Sequence, residues 1–251
     1  MPSELSSQPI ERASQPTERA SEPSERASAP TDRTKLRRKP ARGSHDRAAI
    51  DAILDEALVC HVAFPAGAVA PARYASIPTA PHPLETAASI VIPTTHVRVG
   101  DTLYLHGSAA SHMLRSLATG VEVCVCVTLL DALVLARAAM HHSVNYRSVV
   151  LFGRARPVED REEKLAALAA LIDHVVPGRS RACRPPNDKE LAATLVVALP
   201  VDEASAKTRS GPPLPDDEED GALPWWAGIV PLRTVRGAPE TAPGCSIPPP
   251  W

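Results

Sequence analysis

Asn145 to Gly153 reads N-Y-R-S-V-V-L-F-G. The bulky, β-branched run Val149, Val150, Leu151, Phe152 predicts a buried strand. Just ahead of the run stand Ser143, Asn145, Tyr146, Arg147 and Ser148, which supply hydroxyls, an amide, a phenol and a guanidinium. Donors gathered at the entry of a core strand need partners, because a buried unpaired donor costs about 1–3 kcal/mol. A planar, phosphate-bearing ligand would engage them. A strand end that turns its polar groups to water would satisfy them equally well.

Other strand signals flank this one. Val59–Phe64, Ser89–Thr94 and Thr102–His106 read as strands, the last two linked through Gly100-Asp101. Val121–Leu129 and Leu133–Ala138 read as a hairpin around Asp131-Ala132, and Gly153 as a bulge within a strand over 146–158. A strand near 195–201 and a last one over 226–235 complete the set. Helical spacing of Ile50, Ile53, Leu54 and Leu58 predicts a helix over 45–57 capped by Ser44. Ser108–Leu117 reads as a short helix closed by Gly120. Asp160, with Glu163 three residues on, starts a helix with an apolar face that ends at Pro177-Gly178, and Asp188 caps another. Residues 65–88 and 211–221 read as loops. Strand-dominated sequence with a few helices predicts an α+β fold, a small antiparallel barrel with covering helices.

The 251 residues carry a net charge of −2 and 44% hydrophobic side chains, enough for a sizeable core and with no overall pull toward nucleic acid or an anionic membrane. No apolar run approaches the ~20 residues of a membrane span. Five scattered cysteines without a secretory signal suggest reduced thiols and a cytoplasmic setting. From Ser7 a seven-residue unit recurs (SQPIERA, SQPTERA, SEPSERA, SAPTDRT), each with a proline and no apolar stripe. Residues 1–43 therefore read as a disordered, low-complexity tail, 44–237 as the folded domain, and 238–251 as a proline-rich C-terminal tail. Lys35-Leu36-Arg37-Arg38-Lys39 is a basic cluster, read as a solvated linker or else as a targeting address or an anion contact.

Six blocks share an order along the chain: Ile92-Pro93-Thr94, Leu103 to Ser108, Ser111-His112, Ser143 to Gly153, Pro177-Gly178-Arg179 and Trp226-Ala227-Gly228. Together they resemble the pyridoxamine 5'-phosphate oxidase-like, FMN-binding split-barrel family, and within it the flavin-nucleotide-binding, nitroimidazole-resistance-like branch. The resemblance covers about 45–235 and implies an antiparallel split β-barrel that holds FMN. It implies cofactor contacts from Pro93, Thr94, His106, Gly107, Ser108, Ser111, His112, Ser143, Tyr146, Arg147, Ser148 and Trp226, with Trp225 an off-by-one alternative. The turn from His106 to Leu117 would seat the phosphate. His112 stands where the family carries a basic residue, so Arg115 or Arg147 would have to substitute. For Arg147 an ion pair with an acidic residue is the competing reading.

The resemblance further implies a homodimer with FMN at the subunit interface and electron transfer to a small-molecule acceptor through the flavin. Tyr146 is the candidate proton donor. A non-catalytic flavin carrier, or a haem-binding protein with His106, His141 or His142 as axial ligand, is the alternative on the same fold. After Trp226 the chain continues A-G-I-V-P-L-R-T-V-R-G, which lacks the aromatic, basic ending expected of a pyridoxamine-phosphate oxidase proper. No metal site is expected. His141 and His142 are adjacent and point to opposite faces of a strand, and Cys124-x-Cys126 has no second pair. A nucleophile elbow, a Gly-rich dinucleotide fingerprint and a P-loop are absent from the sequence.

Overall fold

Period-two alternation builds this fold. In Val59–Pro65 the side chains of Cys60, Val62 and Phe64 are buried while Val59 and His61 face out. In Glu122–Leu135, Val123, Val125 and Val127 are likewise buried. One set of side chains fills the core and the alternate set forms the outer face, as a pleated strand requires.

The computed structural model describes residues 30–67, 88–214 and 218–247. Their strands are β1 (Gly43–Ser44), β2 (Val59–Pro65), β3 (Ser89–Val99), β4 (Thr102–Ser108), β5 (Glu122–Leu135), β6 (Ser143–Arg154), β7 (Arg156–Pro157), β8 (Thr194–Pro200), β9 (Glu203–Arg209) and β10 (Gly228–Pro231). The helices are α1 (Arg47–Glu56), α2 (His112–Leu117), α3 (Arg161–Val175), α4 (Asp188–Ala193) and α5 (Glu218–Gly221). The strands run in the order β1-β9-β6-β5-β2-β3-β4-β8-β7, with β10 also on β5. All of these pairings are antiparallel. This is the expected α+β split barrel.

The split originates in β3. Its first part, Ser89–Thr95, pairs with β2, and its last part, His96–Val99, pairs with β4. A long strand that changes partner along its length bends one sheet away from the other. Phe64, Leu103, Leu105, Leu151 and Leu199 fill the space between, and α1 contributes Ile50, Ile53 and Leu54. Arg47 fixes α1 in place. Its nearly buried guanidinium pairs with Asp51 at 2.6 Å and Asp101 at 3.0 Å and donates to the Val201 and Gly100 carbonyls.

Several elements differ from their sequence readings. Asp46 caps α1 by accepting from the Ala49 amide, while Ser44 accepts from Asp46 one turn too early. The expected hairpin around Asp131-Ala132 is a single strand with a bulge between Leu130 and Ala132. Gly153 stays in register, and its reason is close approach: a Cβ there would meet Leu199 at 3.0 Å. Asp160 caps α3, but Glu163 turns to Tyr104 and Arg156 rather than back to the cap. The reciprocal capping box forms instead at Asn187 and Glu190.

The folded boundary also moves. Residues 1–29 lie outside the described residues, whereas 30–43 are held against the barrel. Arg33 pairs with Glu122 at 2.6 Å and with Glu203, and its guanidinium lies 4.9 Å from the centre of the Phe152 ring. Thr31 donates to Glu203. Residues 68–87 of the expected loop and 248–251 of the C-terminal tail also lie outside the described residues.

Candidate functional site

The candidate residues fall into three groups. The first lies at the split. Beyond Leu105, the residues His106, Gly107 and Ser108 pair with β8 alone, at Val196, Leu195 and Thr194. Pro93 and Thr94 meanwhile pair with β2. A gap therefore opens between these two segments, and α2 closes its floor. Gly107 permits this, since a Cβ there would meet Leu114 at 3.0 Å. The His112 ring packs 5.6 Å from Phe64.

The hydroxyls of this turn already have backbone work. Ser108 accepts from the Ala110 amide at 3.2 Å and Ser111 caps α2 by accepting from Leu114 at 3.4 Å. His106 is half-buried, its Nδ1 is enclosed without a hydrogen-bond partner, and burial lowers its pKa. Burial therefore disfavours the charged form of this ring.

The second group lies on β6, and the pleat divides it. Tyr146 and Ser148 stand on the outer face with Val150, while Arg147 lies on the same side as the buried Val149 and Leu151. Ser148 donates to the Lys207 carbonyl at 3.3 Å. Arg147 is engaged by the chain itself. It pairs with Asp131 at 2.7 Å and with Glu56, and these bonds raise its pKa and lower that of Glu56. Asn145 is buried, donates to the Gly211 carbonyl at 3.1 Å and accepts from the buried Arg209.

The third group lies at the far end of β5. Ser143 pairs with Val134, which also pairs with Ile229 of β10. The Trp226 ring folds over Gly228, where a Cβ would meet it at 2.6 Å. Trp225 and Trp226 are 59% and 63% exposed, unusual for so large an apolar surface.

Cross-strand register relates the groups. Pro93 lies opposite His61, His61 opposite Cys126, and Cys126 opposite Val150. Three strand spacings separate Pro93 from Val150, roughly 14 Å. One chain therefore does not bring the first two groups into one pocket. Two shallow depressions, of about 310 and 250 Å³, lie around Phe152 and Glu122, and neither contains a candidate residue. Sequence reading missed Lys207, Arg209 and Arg47. The first two lie on β9, whose small side chains give no strand signal. Among the described residues, no group of three His, Cys, Asp or Glu side chains is placed to hold a metal ion.

The topology defines an antiparallel split barrel whose candidate ligand surface is open. A family model described as pyridoxamine 5'-phosphate oxidase matches residues 84–208. The flavocytochrome Anf3 from Azotobacter vinelandii is similar at 37% identity and TM-score 0.75, over 89% of this chain and 95% of the other. A FAD and haem binding protein from Mycobacterium smegmatis is similar at 37% identity and TM-score 0.72, over 83% of this chain and 94% of the other. A Bacteroides thetaiotaomicron protein named for 5-nitroimidazole antibiotic resistance is 22% identical, with TM-score 0.48, over 65% of this chain and 84% of the other. No curated protein matches. The chain belongs to the pyridoxamine 5'-phosphate oxidase-like split-barrel family.

Proposed function

We propose that this chain binds a flavin as a homodimer and passes electrons between a small-molecule donor and acceptor. The observation that carries the reading is the outer face of β3, β2, β5 and β6. Val59 and Val91 are 45% and 59% exposed there, beside Pro93, His61, Cys126, Tyr146 and Ser148. An apolar sheet face edged with hydrogen-bonding groups suits a flat ring and a second copy of the chain. In such a dimer, Pro93 and His106 of one chain and Tyr146 and Ser148 of the other can serve one cofactor, although they lie far apart within a chain.

When bound, a flavin supplies hydride and single-electron chemistry. The chain's own residues do the rest. Pro93, Val91 and Val150 would exclude water from the ring faces. Ser148, whose proton goes to the Lys207 carbonyl, would accept from the ring's polar edge, and the Tyr146 hydroxyl would donate to it and supply a proton on that face. The likeness to a protein named for FAD and haem favours FAD over the FMN implied by the sequence blocks.

Haem as a second group has its own support. Haem iron would be held by an unprotonated nitrogen, and His106 offers an enclosed Nδ1 without a hydrogen-bond partner on a ring whose pKa burial lowers. The Nδ1 of His141 is also enclosed without a partner, while that of His142 meets the Ala138 carbonyl at 3.3 Å. No helix among the described residues is long and apolar enough to cross a membrane. The free thiols favour a reducing, cytoplasmic setting.

Absorbance of the purified chain, with mass analysis of what it releases, tests the reading. Flavin bands are expected, with a Soret band if haem is present. A colourless protein that takes up neither FMN nor FAD at micromolar excess overturns it.

A further inference from the structure

The basic cluster at Lys35–Lys39 does not end as a free linker. The turn Pro40–Arg42 lies against β9, and Gly43 and Ser44 pair with Lys207 and Ala206. This brings Arg38, Lys39 and Arg42 to the strand that carries Lys207 and Arg209. Among the described residues, none of these five cations has an ion pair with a carboxylate. The chain as a whole carries a net charge of −2, so the concentration is local. Repulsion by Arg42, then desolvation, and then repulsion by Arg38, Arg209 and Lys207 lower the pKa of Lys39. Lys39 is also the non-glycine residue with positive φ among those described, at 54°. Left-handed backbone at a lysine is held at a cost, and such positions concentrate at functional sites.

The patch continues the proposed flavin face. Ser148 lies opposite Lys207 and Tyr146 opposite Arg209 in the β6–β9 ladder. Lys207 and Arg209 are two residues apart, roughly 7 Å along one strand. That spacing suits a pair of linked phosphates rather than the long track of a nucleic acid. The other phosphate seat, at the start of α2, keeps the O–H groups of Ser108 and Ser111 but has a histidine where the resemblance leads one to expect a basic residue. Arg147 is committed to Glu56 and Asp131.

We propose that Arg38, Lys39, Arg42 and Lys207 hold the pyrophosphate of a dinucleotide flavin whose ring lies on the Tyr146–Ser148 face, with the buried Arg209, bonded to Asn145 and the Pro212 carbonyl, adding only its charge from beneath. This rests on the flavin reading. The pyrophosphate would be bound as a multiply charged acceptor by cations already crowded together, so its binding would be steeply salt-dependent.

The test titrates the full-length apoprotein with FAD, riboflavin and inorganic pyrophosphate at low salt, by calorimetry. The variants are Lys39→Glu/Arg42→Glu and, separately, Lys39→Gly, which removes the charge while relieving the left-handed backbone. FAD dissociation constants should rise at least tenfold in the double variant and severalfold in Lys39→Gly, with riboflavin unchanged. Pyrophosphate should compete with FAD in the wild type. Unmoved FAD affinity, or an equal loss of riboflavin, overturns the assignment. So does tighter binding of a single-stranded oligonucleotide than of FAD. If the wild type binds no flavin, the flavin reading fails by itself, and direct pyrophosphate binding decides the patch: bound by wild type and lost in the variants, it stands; not bound, it falls.

Discussion

Arg147 and Asp131 meet at 2.7 Å across the bulge of β5, and the same guanidinium reaches Glu56 at the end of α1. One side chain thus ties a helix end to two strands. All three groups are partly exposed, so the network is screened by solvent. Arg147→Ala should cost about 1 kcal/mol, a shift of roughly 2–4 °C in Tm. Flavin content should hold, because Arg147 faces away from the Tyr146–Ser148 surface. A colourless Arg147→Ala protein of normal stability would place the cofactor on the other side of β6.

Tyr146→Ala is the complementary variant. It should reduce bound flavin severalfold, read from absorbance per chain, with little change in the unfolding midpoint. Tyr146→Phe should keep the cofactor and slow turnover if the hydroxyl delivers a proton. Equal turnover by Tyr146→Phe removes it from that role.

Acid stability should depend on His96. The ring is fully buried, its Nε2 meets the Leu54 carbonyl at 3.0 Å, and burial lowers its pKa. The neighbouring His174 lies 5.7 Å away and opposes protonation, while Asp55 favours it. A folded pKa below the unfolded one means that the unfolded chain gains the proton first as pH falls below about 6.5. Stability is complete above that pH and declines toward the folded pKa, by up to about 1.4 kcal/mol per pH unit for this group. His106 shifts the same way and adds to the slope. Urea midpoints at pH 7.5 and 5 should therefore differ, and by less in His96→Gln.

Thiol labelling reads the outer face. Burial pushes the Cys60 thiol up to about 12, so it should react only on unfolding. Cys183 and Cys245 are exposed and should react at once. Cys124 and Cys126 lie on the half-buried outer face. They should be slow in a dimer and fast after dilution to monomer. Fast labelling of both at high protein concentration would argue against this face as the interface.

Truncation locates the folded boundary. Removing residues 1–29 should leave stability unchanged. Removing 1–42 also deletes Arg33, leaving Glu122 and Glu203 without it, and should cost roughly 1–2 kcal/mol more by urea unfolding. Identical stability of the two truncations would show that Arg33 and Thr31 contribute nothing.

Much of the barrel was legible locally. The alternation in Val59–Phe64 and Val121–Leu129, the cap at Asp160 and the run at Val149–Phe152 each carry their own signal within a few residues. β9 did not. Glu203–Arg209 has small side chains, and Ala204, Ser205 and Ala206 are all buried, Ala204 and Ala206 in the core with residues of α1 and β6. The Asp131-Ala132 turn failed for a related reason. Arg147 takes the Asp131 carboxylate, and β10 pairs with the second half of β5, which holds the chain straight.

The sequence by itself determined most of the strands and helices, though not β9 or the unbroken course of β5, since backbone periodicity, capping and turn chemistry act over a few residues. Tertiary structure alone decided where β3 changes partner, which face of β6 each polar group takes, and that a basic linker comes to rest beside Lys207. Those outcomes depend on pairings between residues far apart in the chain, whose energies exist only once the strands have met.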